Sequence, residues 1–170
     1  MIATALDKIP MPPVAKLLGW RLADARPQDG WIRMTFDGKQ DFCNPAGFIQ
    51  GGMLSAMLDD TMGPAVFVMT EGRLFTTTIT MTVNFLAPAK PGLVTGEATV
   101  TQLGKTIAFV EGRLTSADGA LLATASSSIA PFGRIEETEG GVILNGEMGW
   151  SSGCDHAEWA IIGFLRPNAT

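Results

Sequence analysis

Apolar residues interspersed with single polar ones from Trp20 to Ala25 and again from Trp31 to Phe36 read as two strands, and Pro27-Gln28-Asp29-Gly30 between them has the composition of a turn. Ahead of these strands, Val14-Ala15-Lys16-Leu17-Leu18 is a short amphipathic piece that follows Pro10, Pro12 and Pro13 and is stopped by Gly19. Asp37 to Phe48 reads as a polar loop. From Gln50 to Met69 apolar residues recur nearly all round a helical projection, which predicts a buried helix. Gly63-Pro64 interrupts that run. Pro64 has no N–H to offer the Asp60 carbonyl, so a kink is expected there.

After Glu71-Gly72-Arg73 the texture turns to β. Strands are expected over Thr76 to Phe85, Leu93 to Leu103, Thr106 to Thr115 and Leu121 to Ala130. The breaks between them fall at Pro88–Gly92, Gly104-Lys105 and Ala117-Asp118-Gly119. Two short strands, one buried helix and four long strands make an α+β pattern. Residues 1–135 read as one domain with a short N-terminal helix. Residues 136–170 read as an extension of unassigned structure, Gly-rich and weakly patterned, with Trp150, Trp159 and Phe164.

Composition narrows the class. Of the 170 residues 46% are hydrophobic and only 17% charged, which predicts apolar surface buried between subunits. No apolar run reaches the ~18 residues of a membrane span, and the N-terminus lacks the pattern of a signal peptide. Cys43 and Cys154 make no disulfide framework, so a cytoplasmic setting is expected. The net charge of −5 argues against general nucleic-acid affinity. His156, the only histidine, stands with Cys154 and Asp155 but has no second ligand pair at zinc spacing, so no metal is expected. Asn168-Ala169-Thr170 fits a glycosylation sequon, which has no meaning in a cytoplasmic chain.

The chemistry concentrates in Asn44-Pro45-Ala46-Gly47-Phe48-Ile49-Gln50-Gly51-Gly52 and the helix that follows. A Gly-Gly helix start leaves backbone N–H groups free at the positive end of the helix dipole, a setting for developing negative charge. Asp59 and Asp60 lie two turns inside a very apolar helix, where a charge is expensive unless it is paired or used. A carboxylate near an anion-stabilising helix start is equipment for hydrolysing an acyl group.

Taken in order, these residues resemble the hot-dog-fold acyl-CoA thioesterases, in particular the phenylacetate-degradation type. Asn44 matches the family's Asn, Gln50-Gly51-Gly52 stands in place of His-Gly-Gly, and Asp59 falls nine residues after Gln50 at the family's acidic position. Val83-Asn84-Phe85-Leu86-Ala87-Pro88-Ala89 looks like the family strand that ends in a Pro-Ala turn, and Gly92, Gly104-Lys105-Thr106 and Asp118-Gly119 match its later turns.

The resemblance implies an antiparallel sheet wrapped around the central helix, in a homodimer or a tetramer of two dimers. It implies hydrolysis of an acyl-CoA thioester without a metal or redox cofactor. Asp59 would be general base or nucleophile, Gly51 N–H the oxyanion donor, and Asn44 an orienting group for water or Gln50. Thr78 would come from the partner's strand to bind water, and Asp60 is the rival carboxylate. Lys90, Lys105 and Arg134 would meet CoA phosphates at the cleft mouth. Phe48, Met53, Met57 and Phe85, facing the pocket, point to an aromatic or medium-chain acyl group. Gln50 departs from the family's His: it can donate and accept hydrogen bonds but carries no charge. That departure keeps open a catalytically silent acyl-CoA-binding protein. A hot-dog dehydratase would need a His in the site, and the only His is in the tail.

Overall fold

The computed structural model describes residues 4–132, 134–138 and 141–145, with side chains as far as residue 131. Two short pieces open the chain, a 3-10 turn at Ala5–Lys8 and the helix α1 (Pro13–Leu18). Gly19 ends α1 at φ 67°, a left-handed conformation that glycine adopts without strain. Strands β1 (Arg21–Arg26) and β2 (Trp31–Gly38) follow, joined by a 3-10 turn at Pro27–Asp29, and a further 3-10 turn sits at Gln40–Phe42. The long helix α2 is Gly51–Met69. Strands β3 (Phe75–Phe85), β4 (Gly92–Leu103), β5 (Ala108–Ser116) and β6 (Leu121–Phe132) complete the main sheet. A two-stranded hairpin, β7 (Arg134–Thr138) and β8 (Gly141–Asn145), comes after it.

The sheet is antiparallel throughout, in the order β1-β2-β4-β5-β6-β3. Helix α2 is therefore a crossover. It leaves β2 near one edge, lies across the inner face and delivers β3 to the opposite edge. Strand alternation sets that inner face: Ile32, Met34 and Phe36 of β2 and Ala108, Val110 and Leu114 of β5 are all buried. Helix α2 buries Leu54, Met57, Leu58, Met62 and Val66 against them. The helix lies close because glycines take the middle of its bed. A Cβ at Gly112 would come 2.9 Å from Met62, and one at Gly96 would meet Thr61 Oγ1 and, at 3.1 Å, the Phe36 ring.

Helix α2 runs through Gly63-Pro64 to Met69, the extent its apolar pattern predicts. The carbonyl that Pro64 cannot serve is answered from elsewhere. The Trp20 indole N–H donates to the Asp60 carbonyl at 3.0 Å. A partner brought from outside the helix satisfies the group that the sequence leaves open.

Candidate functional site

The loop before α2 is built by Asn44. Its side-chain oxygen accepts from the N–H groups of Ala46 (3.0 Å) and Phe48 (3.2 Å), and its own N–H donates to the Phe48 carbonyl at 2.8 Å. This is an Asx-type turn, so the oxygen expected to orient water or Gln50 is used inside the loop. Ile49 N–H then donates to the Ala89 carbonyl and Gln50 N–H to the Phe42 carbonyl, both at 2.8 Å. The first bond anchors the start of α2 to the β3–β4 connection and the second to the 3-10 turn at Gln40–Phe42.

Gln50 is the N-cap of α2 in extended conformation, and its side chain, which makes no capping bond, is exposed. Among the described residues, neither Gly51 nor Gly52 N–H has a hydrogen-bond acceptor. The Phe85 ring lies so near Gly51 that a Cβ there would be 3.0 Å from it. A cavity of about 540 Å³ opens at this helix end, lined by Asn44, Phe48, Gln50, Gly51, Leu54 and Phe85 among others. Three of the expected site residues, Asn44, Gln50 and Gly51, therefore meet at one place. Of the four residues expected to face the acyl group, Phe48 and Phe85 line this cavity. Met57 is fully buried in the core instead, and Met53 packs half-buried against it, because helical spacing turns them toward the sheet.

Asp59 lies elsewhere. It is exposed on α2, and its Oδ1 accepts from Thr78 Oγ1 at 2.6 Å. That bond is within one chain: β3 is the strand nearest this face of α2, so the hydroxyl that the resemblance assigns to the partner's strand is supplied in cis. A β-bulge produces the geometry. Thr78 pairs with Ile129 and Thr80 with Ser128, which leaves Ile79 as the extra residue. Ahead of the bulge, Thr76 and Thr78 face α2, where Thr76 Oγ1 donates to the Gly63 carbonyl at 3.4 Å. Beyond it, Thr80 faces the outer side and shares a 2.7 Å hydrogen bond with Ser128 Oγ, while Met81 and Val83 turn inward. Without the bulge, Thr78 and Thr80 would share a face.

Asp60 differs sharply from its neighbour. It is half-buried, and its Oδ2 is shut off from solvent with no hydrogen-bond partner among the described residues. Burial, reinforced by the charge of Asp59, raises its pKa from 3.8 to about 6.

Eight residues separate Gly51 from Asp59 on one helix, about 12 Å at 1.5 Å per residue. One thioester carbonyl cannot sit within hydrogen-bond reach of both in a single chain. The basic residues divide as well. Lys90 precedes β4 at the end where Ala89 holds the α2 loop, while Lys105 follows the other end of this twelve-residue strand. At about 3.3 Å per residue the two are roughly 40 Å apart, so they do not flank a common cleft mouth in one chain. Arg134 lies in β7, and its side chain is outside the described residues, as are Cys154, Asp155, His156 and the rest of the tail from residue 146. Among the described residues no cluster of His, Cys, Asp or Glu is arranged to hold a metal, and no helix is long and apolar enough to cross a membrane.

A second hollow of about 510 Å³ lies on the outer face, lined by Trp31, Glu97 and Arg113 among others. Burial acts to raise the Glu97 pKa there, but hydrogen bonds from Arg113 and Arg33 outweigh it and hold the group below its ordinary value. Neither Asp59 nor Gly51 reaches this hollow.

A six-stranded antiparallel sheet packed on one long helix is the hot-dog architecture. Residues 46–123 match the thioesterase superfamily profile. A phenylacetic acid degradation-related protein from Ralstonia eutropha is 34% identical, with a TM-score of 0.70 over 74% of this chain and 95% of its own. A thioesterase family protein from Silicibacter pomeroyi is 26% identical, with a TM-score of 0.67 over 74% and 93%. The chain belongs to the thioesterase superfamily. A different likeness covers a shorter stretch. Over 47 residues, 28% of this chain, it is 77% identical to the oxygenase component of p-hydroxyphenylacetate 3-hydroxylase from Acinetobacter baumannii, and it spans only 11% of that protein.

Proposed function

We propose that this protein hydrolyses acyl-CoA thioesters to the free acid and CoA, in sites completed by two copies of the chain. The carrying observation is the Asp59–Thr78 hydrogen bond of 2.6 Å, which fixes an exposed carboxylate on the face of α2. The 12 Å between Asp59 and Gly51 supports the second copy. In an isologous dimer, Gly51 of one chain and Asp59 of the other can approach one carbonyl, twice per dimer. Edge strand β3, none of whose residues is fully buried and whose Phe75 and Phe85 are about half exposed, is surface that such a dimer would cover.

Gly51 N–H then polarises the thioester carbonyl, a role in which one donor is worth about 10²–10³-fold. Asp59 either takes a proton from water, which attacks the carbonyl carbon, or attacks it directly to form a mixed anhydride that water cleaves. In both routes the C–S bond breaks and the sulfur leaves as the CoA thiolate. Thr78 holds Asp59 in position, and Asn44 shapes the loop that presents Gly51. Gln50, exposed beside Gly51, can hydrogen-bond the thioester oxygen. Lys90 follows Ala89 of the cavity lining, a position from which it would serve a CoA phosphate.

Thiol release measured across a panel of aromatic and aliphatic acyl-CoA esters tests this reading. Asp59→Asn should lose about 10²–10⁴-fold in turnover and Asp60→Asn much less. Equal losses, or a greater loss at Asp60, would mean that the other carboxylate does the chemistry. A parent that binds CoA esters without turnover would make this a silent acyl-CoA-binding protein. Sedimentation showing a monomer at micromolar concentration would overturn the two-copy site.

A further inference from the structure

We propose that Trp20 is a positioning residue for the Asp59 carboxylate, acting through the Asp60 carbonyl that Pro64 leaves without its helical donor. The proposal rests on Asp59 being the reacting carboxylate. The turn of α2 that carries Asp59 is pinned from two sides. From β3, Thr78 Oγ1 holds the carboxylate and Thr76 Oγ1 reaches the Gly63 carbonyl. From the start of β1, the Trp20 indole N–H holds the Asp60 carbonyl at 3.0 Å. Within the helix, Thr61 Oγ1 donates to the Met57 carbonyl at 2.7 Å.

Of these bonds, the one from Trp20 replaces a missing backbone bond. A proline inside a helix removes the i→i−4 donor, and its ring presses on that same carbonyl. Left unpaired, the Asp60 carbonyl would tilt toward water and the helix would bend at the turn bearing Asp59. Trp20 closes this opening with a side chain forty residues away. Its own place is fixed by the left-handed Gly19, by its N–H bond to the Ala15 carbonyl at 2.9 Å, and by packing of its ring against the core. The N-terminal segment thereby sets the orientation of a carboxylate it does not touch. Misplacement of a reacting group by about 1 Å can cost about 10²-fold in rate, so a small bend at this turn is enough to matter.

The origin of the missing bond supplies the test. Trp20→Phe keeps an aromatic ring in the same place and removes the N–H. Pro64→Ala returns a backbone N–H to the Asp60 carbonyl. It separates the lost hydrogen bond from the lost indole packing, because it can restore only the former. In the full chain, Trp20→Phe should lower kcat about 10–100-fold with little change in KM, and adding Pro64→Ala should recover most of it. The carboxyl ¹³C signal of Asp59, assigned by its absence in Asp59→Asn, should shift in Trp20→Phe and return in the double variant. The proposal is overturned if Trp20→Phe keeps the parental kcat and Asp59 signal, or if Pro64→Ala restores neither. The carboxyl signal needs no turnover. A parent that hydrolyses no thioester would remove the reading of the site, while the spectra would still decide whether Trp20 positions Asp59.

Discussion

Asp60 carries a prediction opposite to the usual one for an acid in a folded protein: replacing it should stabilise the fold, and only above a certain pH. Its Oδ2 is sealed from water without a hydrogen-bond partner among the described residues, and Asp59 lies beside it. Burial first, and the neighbouring charge second, raise its pKa from 3.8 to about 6. The folded chain therefore holds this proton to higher pH than the unfolded chain does. Stability is fully present where both states are protonated, falls as pH rises from about 4 to about 6, and is level above that. A shift of about two units at 1.36 kcal/mol each sets a ceiling near 3 kcal/mol. The side chain is only half-buried, so solvent screening brings the expected effect to about 1–2 kcal/mol. Asp60→Asn removes the charge at nearly constant shape. Urea denaturation of parent and variant, at equal chain concentration, should show the variant more stable by about 1–2 kcal/mol near pH 8 and little different near pH 3. A gain that does not change with pH, or a variant less stable at pH 8, would refute the argument.

Other positions test separate parts of the structure. Gly96→Ala should destabilise by about 1–3 kcal/mol in the same denaturation assay, because the added Cβ meets Thr61 and Phe36 where α2 crosses β4. Gln50→Ala should slow hydrolysis by about 1–3 kcal/mol of transition-state free energy. A parental rate for Gln50→Ala would remove Gln50 from the chemistry. Lys90→Ala should raise KM for CoA esters several-fold and change it little for thioesters lacking the nucleotide. If the two substrate types respond alike, Lys90 does not read the CoA phosphates.

The sequence by itself determined the element order, the one long helix, and the strands on either side of it. The periods of its apolar residues are long and unmixed, and Gly or Pro stands at nearly every break. It also determined the composition of the helix start, since Gln50-Gly51-Gly52 and the nine-residue step to Asp59 are local facts that need no tertiary contact. The turns at Pro27–Asp29 and Gln40–Phe42 took 3-10 form that no periodicity announces, each being a single turn.

What only the tertiary structure decided lies wherever one bond joins distant residues. Thr76, Thr77 and Thr78 are equivalent in a run of threonines; the bulge at Ile79 and the passage of α2 beside β3 single out Thr78 as the partner of Asp59, in its own chain. Helical rise, applied to an unbroken α2, separated Gly51 from Asp59 by about 12 Å, and the length of β4 separated Lys90 from Lys105. For Asn44 the sequence allows both an orienting role and a loop-closing Asx turn, and the fold uses its side-chain oxygen to close the loop. At Pro64 the sequence showed the missing donor but not its replacement. Trp20 supplies that bond, because a lost local hydrogen bond inside a core must be matched by whatever the fold brings within about 3 Å of it.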